Sequence, residues 1–199
     1  MKPYFSIDLE TTGLDPKNHQ ILEIGIIYED PTKQLSYDEI PKFNCFIEYE
    51  NYIGSPYAIN MNQRIFKRIL ELQEEEKHTT YFPDKECILW DIDTAIDRAA
   101  RFIDLQCIRG KENVIRITGK NFASFDRDFL IKNQFYNKLA NRVSHRYLDI
   151  GSFFFDPKTM DWLPSSEECY KLAGIEKQEV SHEALADAWD VIKLIRTRY

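Results

Sequence analysis

Residues 5–16 read FSIDLETTGLDP, and their alternation decides the fold. Across residues 3–9, Phe5, Ile7 and Leu9 fall on one side and Ser6, Asp8 and Glu10 on the other, the period-two pattern of a strand. The next residues, Thr11 to Pro16, have turn chemistry. Side chains two apart on a strand share a face, so Asp8 and Glu10 point the same way. Most strands with this pattern simply turn their acids to water. Two carboxylates held side by side away from water repel each other unless a cation lies between them.

Residues 21–28 (ILEIGIIY) form a second, mostly apolar strand, and residues 42–49 (KFNCFIEY) a third. Connections this short predict antiparallel pairing. Residues 57–76 read as a helix ending in the acidic run ELQEEEK at 71–77, followed by an irregular stretch to about 89. Residues 91–108 are an amphipathic helix with Ile92, Ala95, Ile96, Ala99, Phe102 and Ile103 on one side. A short strand at Val114–Thr118, a helix at Phe122–Tyr136, an extended piece at Arg146–Ile150 and helices at 166–173 and 182–197 complete the chain. Early strands followed by alternating helix and strand make an α/β domain with a mixed sheet.

The 199 residues are 43% hydrophobic and 30% charged, a globular composition of one-domain length. No linker or repeat divides residues 1–199. No apolar run approaches the ~20 residues of a membrane span, and MKPYFSIDLE has no secretory apolar segment. Cys45, Cys87, Cys107 and Cys169 form no CxxC pair and read as reduced thiols of a cytoplasmic protein. A net charge of −7 argues against a protein that coats nucleic acid with a broad basic surface.

Two further acids lie in apolar surroundings. Asp126 falls among Phe122, Phe129 and Leu130 in its expected helix, and Asp187 among Ala184, Ala188, Val191 and Leu194. Burying an unpaired carboxylate is costly, so Asp126 needs either a cation such as Arg127 or Lys132, or a metal or its water. His182 precedes Asp187 by five residues, about 140° round a helix. With Ser181 as N-cap, His182 stands at the helix mouth and reaches the same point as Asp187. Asp8, Glu10, Asp126 and Asp187 are hard oxygen donors suited to Mg²⁺ or Mn²⁺. Paired hard metals ~4 Å apart serve in-line phosphoryl displacement.

In their order along the chain, these segments resemble the DnaQ-like DEDDh 3′→5′ exonucleases. FSIDLETTGLDP (5–16) is similar to the first family motif, GKNFASFDRDFL (119–130) to the second, and HEALADAWDVIKLI (182–195) to the third, in its His-x4-Asp form. ILEIGIIY and RYLDIGSFFF (146–155) stand where the family has a second strand and the piece before the last helices. Proofreading members commonly carry Asn four residues before the second-motif Asp; here Asn121 is five before Asp126, as in the oligoribonuclease-like pattern, with Asp128 the alternative ligand. The resemblance implies an RNase H-like fold, a mixed five-stranded sheet flanked by helices. It implies that Asp8, Glu10 and Asp187 bind one of two Mg²⁺ or Mn²⁺ ions, that Asp8 bridges to the second, and that Asp126 holds metal-bound water. His182 would take the proton from the attacking water. The implied reaction releases nucleoside 5′-monophosphates from the 3′ end.

The resemblance also implies that Thr11, Thr12, Gly13 and Leu14 hold the terminal nucleotide, with Leu14 against the base. Met61 is placed to wedge between terminal bases, and Asn121 joins the substrate-binding set. Arg64, Lys67 and Arg68 form a basic stripe at helical spacing; Lys132, Lys138, Arg142, His145 and Arg146 form a second, interleaved with Tyr136 and Tyr147. The expected ligand is single-stranded nucleic acid or a frayed 3′ end, with a polymerase or repair partner possible and no membrane. A proofreading subunit and a catalytically inactive nucleic-acid-binding scaffold are the alternatives on the same fold.

Overall fold

The N-terminal alternation becomes β1 (Tyr4–Thr11), which pairs antiparallel with β2 (Ile21–Glu29), itself antiparallel to β3 (Lys42–Ile47). The computed structural model describes residues 1–74, 88–140, 142–176 and 183–199. Among these, the sheet has six strands rather than the five expected. The additional one is β4 (Ile88–Trp90), parallel to the outer side of β3, where the sequence suggested only irregular chain. β5 (Ile117–Gly119) runs parallel to β1, and β6 (Leu148–Asp149) parallel to β5, giving the order β4-β3-β2-β1-β5-β6. A two- or three-residue strand has too few residues to show a period, which is why β4 left no signature.

Phe5, Ile7 and Leu9 of β1, with Ile24 and Ile26 of β2, pack into a core against helix α3 (Ile92–Gly110), whose N-cap Asp91 accepts the Thr94 N–H. The opposite face of β1 is largely covered, with Asp8 half-buried in its middle. Ser6 has no exposure and Glu10 only 8%, because the C-terminal helix lies over them. We label the helices in chain order: α1 (Pro56–Met61), α2 (Gln63–Glu74), α3, α4 (Asp126–Lys132), α5 (Phe135–Lys138), α6 (Ile150–Phe154), α7 (Ser166–Ala173) and α8 (Ala184–Arg196).

Two expected helices are broken. Residues 57–76 divide at Asn62, the C-cap of α1, whose side-chain amide donates to Thr11 O at 2.9 Å and so ties this pair of helices to the end of β1. Residues 122–136 become a 3₁₀ turn at Phe122–Ser124, then α4 and α5, because Phe125 (φ −132°, ψ −78°) and Gln134 (φ 59°) leave the helical region. The last helix starts at Ala184 with Glu183 in the cap position. Ser181, His182 and residues 75–77 of the acidic run lie outside the described residues.

The position of α8 is set by one face of β2, where Glu23, Gly25, Ile27 and Glu29 alternate. At the near end, Glu23 Oε2 accepts the Ala184 N–H at 3.1 Å, satisfying one of the orphan donors of the first helical turn. At the far end, Arg196 grips Glu29 with two hydrogen bonds, Nε to Oε1 at 2.8 Å and a second guanidinium nitrogen to Oε2 at 2.7 Å. Between them, Gly25 lets backbone meet backbone: a Cβ there would lie 2.4 Å from Ala184 C and 2.5 Å from Leu185 N. Ser6 Oγ donates to Ala188 O at 2.8 Å and locks the helix to β1.

Gly25→Ala therefore forces α8 off the sheet. Urea unfolding should show a loss of about 1–3 kcal/mol, the usual cost of overpacking. An unchanged midpoint would show that α8 is placed by its apolar stripe alone.

Candidate active site

Asp8 stands opposite Gly25, and Glu10 opposite Glu23, on the α8 side of the sheet. Asp187 is in the first turn of α8 and faces the same point. One ligand oxygen from each of Asp8, Glu10 and Asp187 can be chosen so that all three lie within 4.8 Å of one another. The acids that sequence placed apart by almost 180 residues thus meet, and the reason is local. β1 puts both of its acids on one face, and Gly25 allows α8 to come close enough to add the third.

Asp126 arrives from the edge of this cluster. It is the first residue of α4, not a mid-helix residue as its apolar neighbours suggested, and it is only 2% exposed. Its Oδ1 accepts the N–H of Leu9, the residue between the two β1 acids, at 3.0 Å. Neither expected cation partners it: Arg127 pairs with Asp128, and Lys132 Nζ donates to His19 O at 3.1 Å. Asp128 is thereby taken up in a surface ion pair.

The electrostatics of the cluster run one way. Burial, then the carboxylates of Asp126, Asp187 and Glu10, push the Asp8 carboxyl well above the usual range. Burial, then Asp187, Glu23 and Asp126, push Glu10 up to about 8. Asp126 is pushed up to about 8 by burial, against the pull of its backbone hydrogen bonds. Among the described residues, the charges that act most on Asp8 and Glu10 are other carboxylates, a repulsion that a cation between them would relieve.

A fifth acid was not singled out in the sequence. Glu23 is 2% exposed, accepts from Asn44 Nδ2 at 2.6 Å and from the first N–H of α8, and is pushed up to about 7 by burial. Its signal was a lone charge inside the apolar run ILEIGIIY. Asp149 was also missed. Its two oxygens accept the N–H groups of Asn121 and Gly151, both at 2.8 Å, which fixes the chain between β5 and α4.

The residues expected to hold a nucleotide divide into two groups. Thr11 and Thr12 are buried and internally committed: Thr11 Oγ1 donates to Gly13 O, while Thr12 Oγ1 donates to Ile53 O at 2.6 Å and accepts the Gln20 N–H. A Cβ at Gly13 would sit 2.6 Å from the His19 ring, so a larger residue there would displace that ring. Leu14 is 82% exposed and Met61 40%, so both apolar side chains are available to a ligand. Asn121 is exposed, with left-handed backbone (φ 56°).

The two basic stripes are largely spent on ion pairs and hydrogen bonds. Arg64 pairs with Glu183, Arg68 with Glu71, Lys138 with Asp97 and Arg142 with Asp104. Tyr136 and Tyr147 are half-buried and contact each other through their hydroxyls. His182 lies outside the described residues, so the structure says nothing of its place.

No helix among the described residues is long and apolar enough to cross a membrane. No curated protein matches the chain. Its fold is shared with solved exonucleases. The Escherichia coli exonuclease I complex with single-stranded DNA, in its zinc-bound form, is 19% identical with a TM-score of 0.60, covering 99% of this chain and 40% of that one. Exonuclease I of the moderately thermophilic Methylocaldum szegediense is 17% identical with the same score and the same two coverages. The nuclease domain of 3′hExo, a DEDDh family member bound to rAMP, is 12% identical with a TM-score of 0.59, covering 98% of this chain and 90% of that one. The chain therefore spans about 40% of the length of the exonuclease I structures. These likenesses identify the RNase H-like fold. The RNase T exonuclease model matches residues 5–195, from the first core strand to the end of α8, and the chain belongs to that family.

Proposed function

We propose that this protein is a 3′→5′ exonuclease that hydrolyses the terminal phosphodiester of single-stranded or frayed DNA or RNA with two divalent ions, Mg²⁺ or Mn²⁺. The observation that carries this reading is the cluster of Asp8, Glu10 and Asp187, whose two β1 members feel mainly other carboxylates among the described residues. Hard carboxylate oxygens at that spacing fit a hard divalent ion.

Asp8, Glu10 and Asp187 would hold one ion, with Asp8 shared with the second and Asp126 reaching it directly or through water. Divalent ions there would neutralise charge on the phosphate and make a water molecule more acidic. The chain's own residues do the rest. Leu14 and Met61 offer apolar surface to the terminal nucleoside. His182 accepts the proton as water oxygen attacks phosphorus. The bond from phosphorus to the 3′ oxygen of the preceding nucleotide then breaks, that oxygen takes a proton from solvent, and a nucleoside 5′-monophosphate leaves. The buried Glu23 holds the first turn of α8, and so Asp187, in register with Glu10.

The deciding experiment digests labelled DNA and RNA oligonucleotides with free or phosphorylated 3′ ends, and circular single strands, with Mg²⁺, with Mn²⁺ and with EDTA. Monophosphate release only from free 3′ ends and only with metal is expected. Nicking of circles excludes the exonuclease reading, activity in EDTA excludes the metal reading, and binding without cleavage marks an inactive scaffold. Asp8→Ala and Asp187→Ala should abolish hydrolysis while the metal-free stability stays level or rises, because each removes one charge from a repelling group. Activity surviving in Asp8→Ala contradicts the assignment.

His182→Ala should keep metal and nucleotide binding and lose turnover by about 10²–10⁴-fold, the range of general base catalysis. Near-normal kcat, or loss of metal affinity instead, returns His182 to a structural role.

The raised acids also make stability depend on pH. Glu10, Glu23 and Asp126 bind protons more tightly folded than unfolded, so their contribution is full below the ordinary carboxylate range. It fades as pH rises through about 7 to 8. Without metal, the thermal midpoint should fall between pH 5 and pH 8.5, and Mg²⁺ should raise it more at pH 8 than at pH 5. A metal-free midpoint that rises over this interval refutes the electrostatic account.

A further inference from the structure

Beside the carboxylate cluster, on the side away from the turn at residues 12–14, lies a cavity of about 350 Å³. Its lining includes Asp8 and Asp187 of the cluster, Lys120 at the end of β5, Ser165 and Ser166 at the start of α7, and Asp190 of α8. The acids of the lining outside the cluster are already partnered: Asp190 pairs with Lys193 at 2.6 Å, and Glu167 with Lys171 at 2.8 Å. Lys120 is the only cation among the described residues of the lining. It is half-buried and forms no ion pair or hydrogen bond with any described residue.

The backbone around Lys120 is fixed on both sides. Gly119 pairs with Asp149 across the β5–β6 ladder, and the Asn121 N–H donates to Asp149 Oδ2 at 2.8 Å. Asp149 thus presents one lysine to the cavity from a braced loop. The apolar anchor of the loop is Phe122, which packs in the core, and the charge of Lys120 acts on Glu168 of α7 without forming an ion pair with it.

Topology gives this lysine a task. The turn after β1 is tied to the segment that follows β3: Thr12 O accepts the Ser55 N–H, and Thr11 O accepts from Asn62. It therefore lies on the β2–β3 side of β1, whereas Lys120 follows β5, the other neighbour of β1. With the terminal nucleotide at the turn and the scissile phosphate over Asp8, Glu10 and Asp187, the rest of the strand leaves on the β5 side, through the cavity. We infer that Lys120 binds the backbone phosphate on the 5′ side of the scissile one, forming a subsite for the retained strand. This rests on the exonuclease reading above. A lysine ammonium on a phosphate oxygen positions a strand without reading its sequence.

The test compares two substrates with Lys120→Ala, Lys120→Arg and wild type. One is oligothymidylate. The other is the p-nitrophenyl ester of thymidine 5′-phosphate, which has no phosphate beyond the reacting one. For Lys120→Ala, KM for the oligonucleotide should rise about tenfold, the scale of one charge-assisted contact, with kcat changed less than about twofold. Hydrolysis of the ester should change less than about twofold on the same scale, and Lys120→Arg should recover most of the oligonucleotide KM. Equal losses on both substrates would mean that Lys120 acts on the carboxylate cluster and would overturn the proposal, as would an unchanged KM. Binding of a fluorescent phosphorothioate oligonucleotide, followed by anisotropy across a salt series, reads the contact without turnover. The plot of log K against log salt should flatten by about 0.7 in Lys120→Ala. If wild type cleaves neither substrate, the exonuclease reading fails, and this slope alone decides: a flattened slope retains the phosphate contact, and an unchanged one removes it.

Discussion

The contact on which the site depends is the one between α8 and a single face of β2. Glu23 receives the first turn of the helix, Glu29 receives Arg196 from its last, and Gly25 between them removes the side chain that would hold the two backbones apart. Without that approach Asp8 and Glu10 would be two acids on a strand, as in many amphipathic strands. With it, Asp187 reaches the same few ångströms, and the three acids stand at a spacing that could hold a metal ion. Buried glutamates are expensive in isolation, and here each is satisfied, one by a helix N-terminus and an amide, the other by a bidentate guanidinium.

The cluster shows how a fold can hold repulsion in place. Two strand acids and two acids from the first turns of α4 and α8 are kept together by backbone hydrogen bonds and by packing on either face, none of which relieves their mutual charge. Asp126 illustrates this well: its bond from the Leu9 N–H orients the carboxylate and favours its charged form, while burial opposes that form. The placement of the acids is thus fixed by the fold itself and not by relief of their charge.

Much of this was legible in the sequence, and the parts that were not share a cause. The alternation of residues 3–9, the antiparallel order of the first three strands, the helix over 91–108 and the acids Asp8, Glu10 and Asp187 follow from local periodicity, which a sequence displays directly. The covering of the Ser6–Asp8–Glu10 face does not, because a polar strand face looks the same whether water or a helix lies on it. Glu23 and Gly25 gain their meaning only from α8, some 160 residues away. Asn62 and Phe125 break helices for tertiary reasons, the first by donating to Thr11 O, the second by an unusual backbone conformation. The two threonines of the turn look like ligand contacts by type, yet their hydroxyls are used within the fold.

The bond from Ser6 Oγ to Ala188 O joins residues 182 positions apart, and the Glu23 contact to Ala184 joins residues 161 apart. Closures of such length form late and open readily by sub-global unfolding in many proteins. The third acid of the cluster therefore rides on an element whose docking is the most non-local event in the fold. With α8 undocked, β1 would hold only two of the three acids in place. The three-acid cluster is consequently absent whenever α8 is undocked, so it exists only in the fully assembled fold.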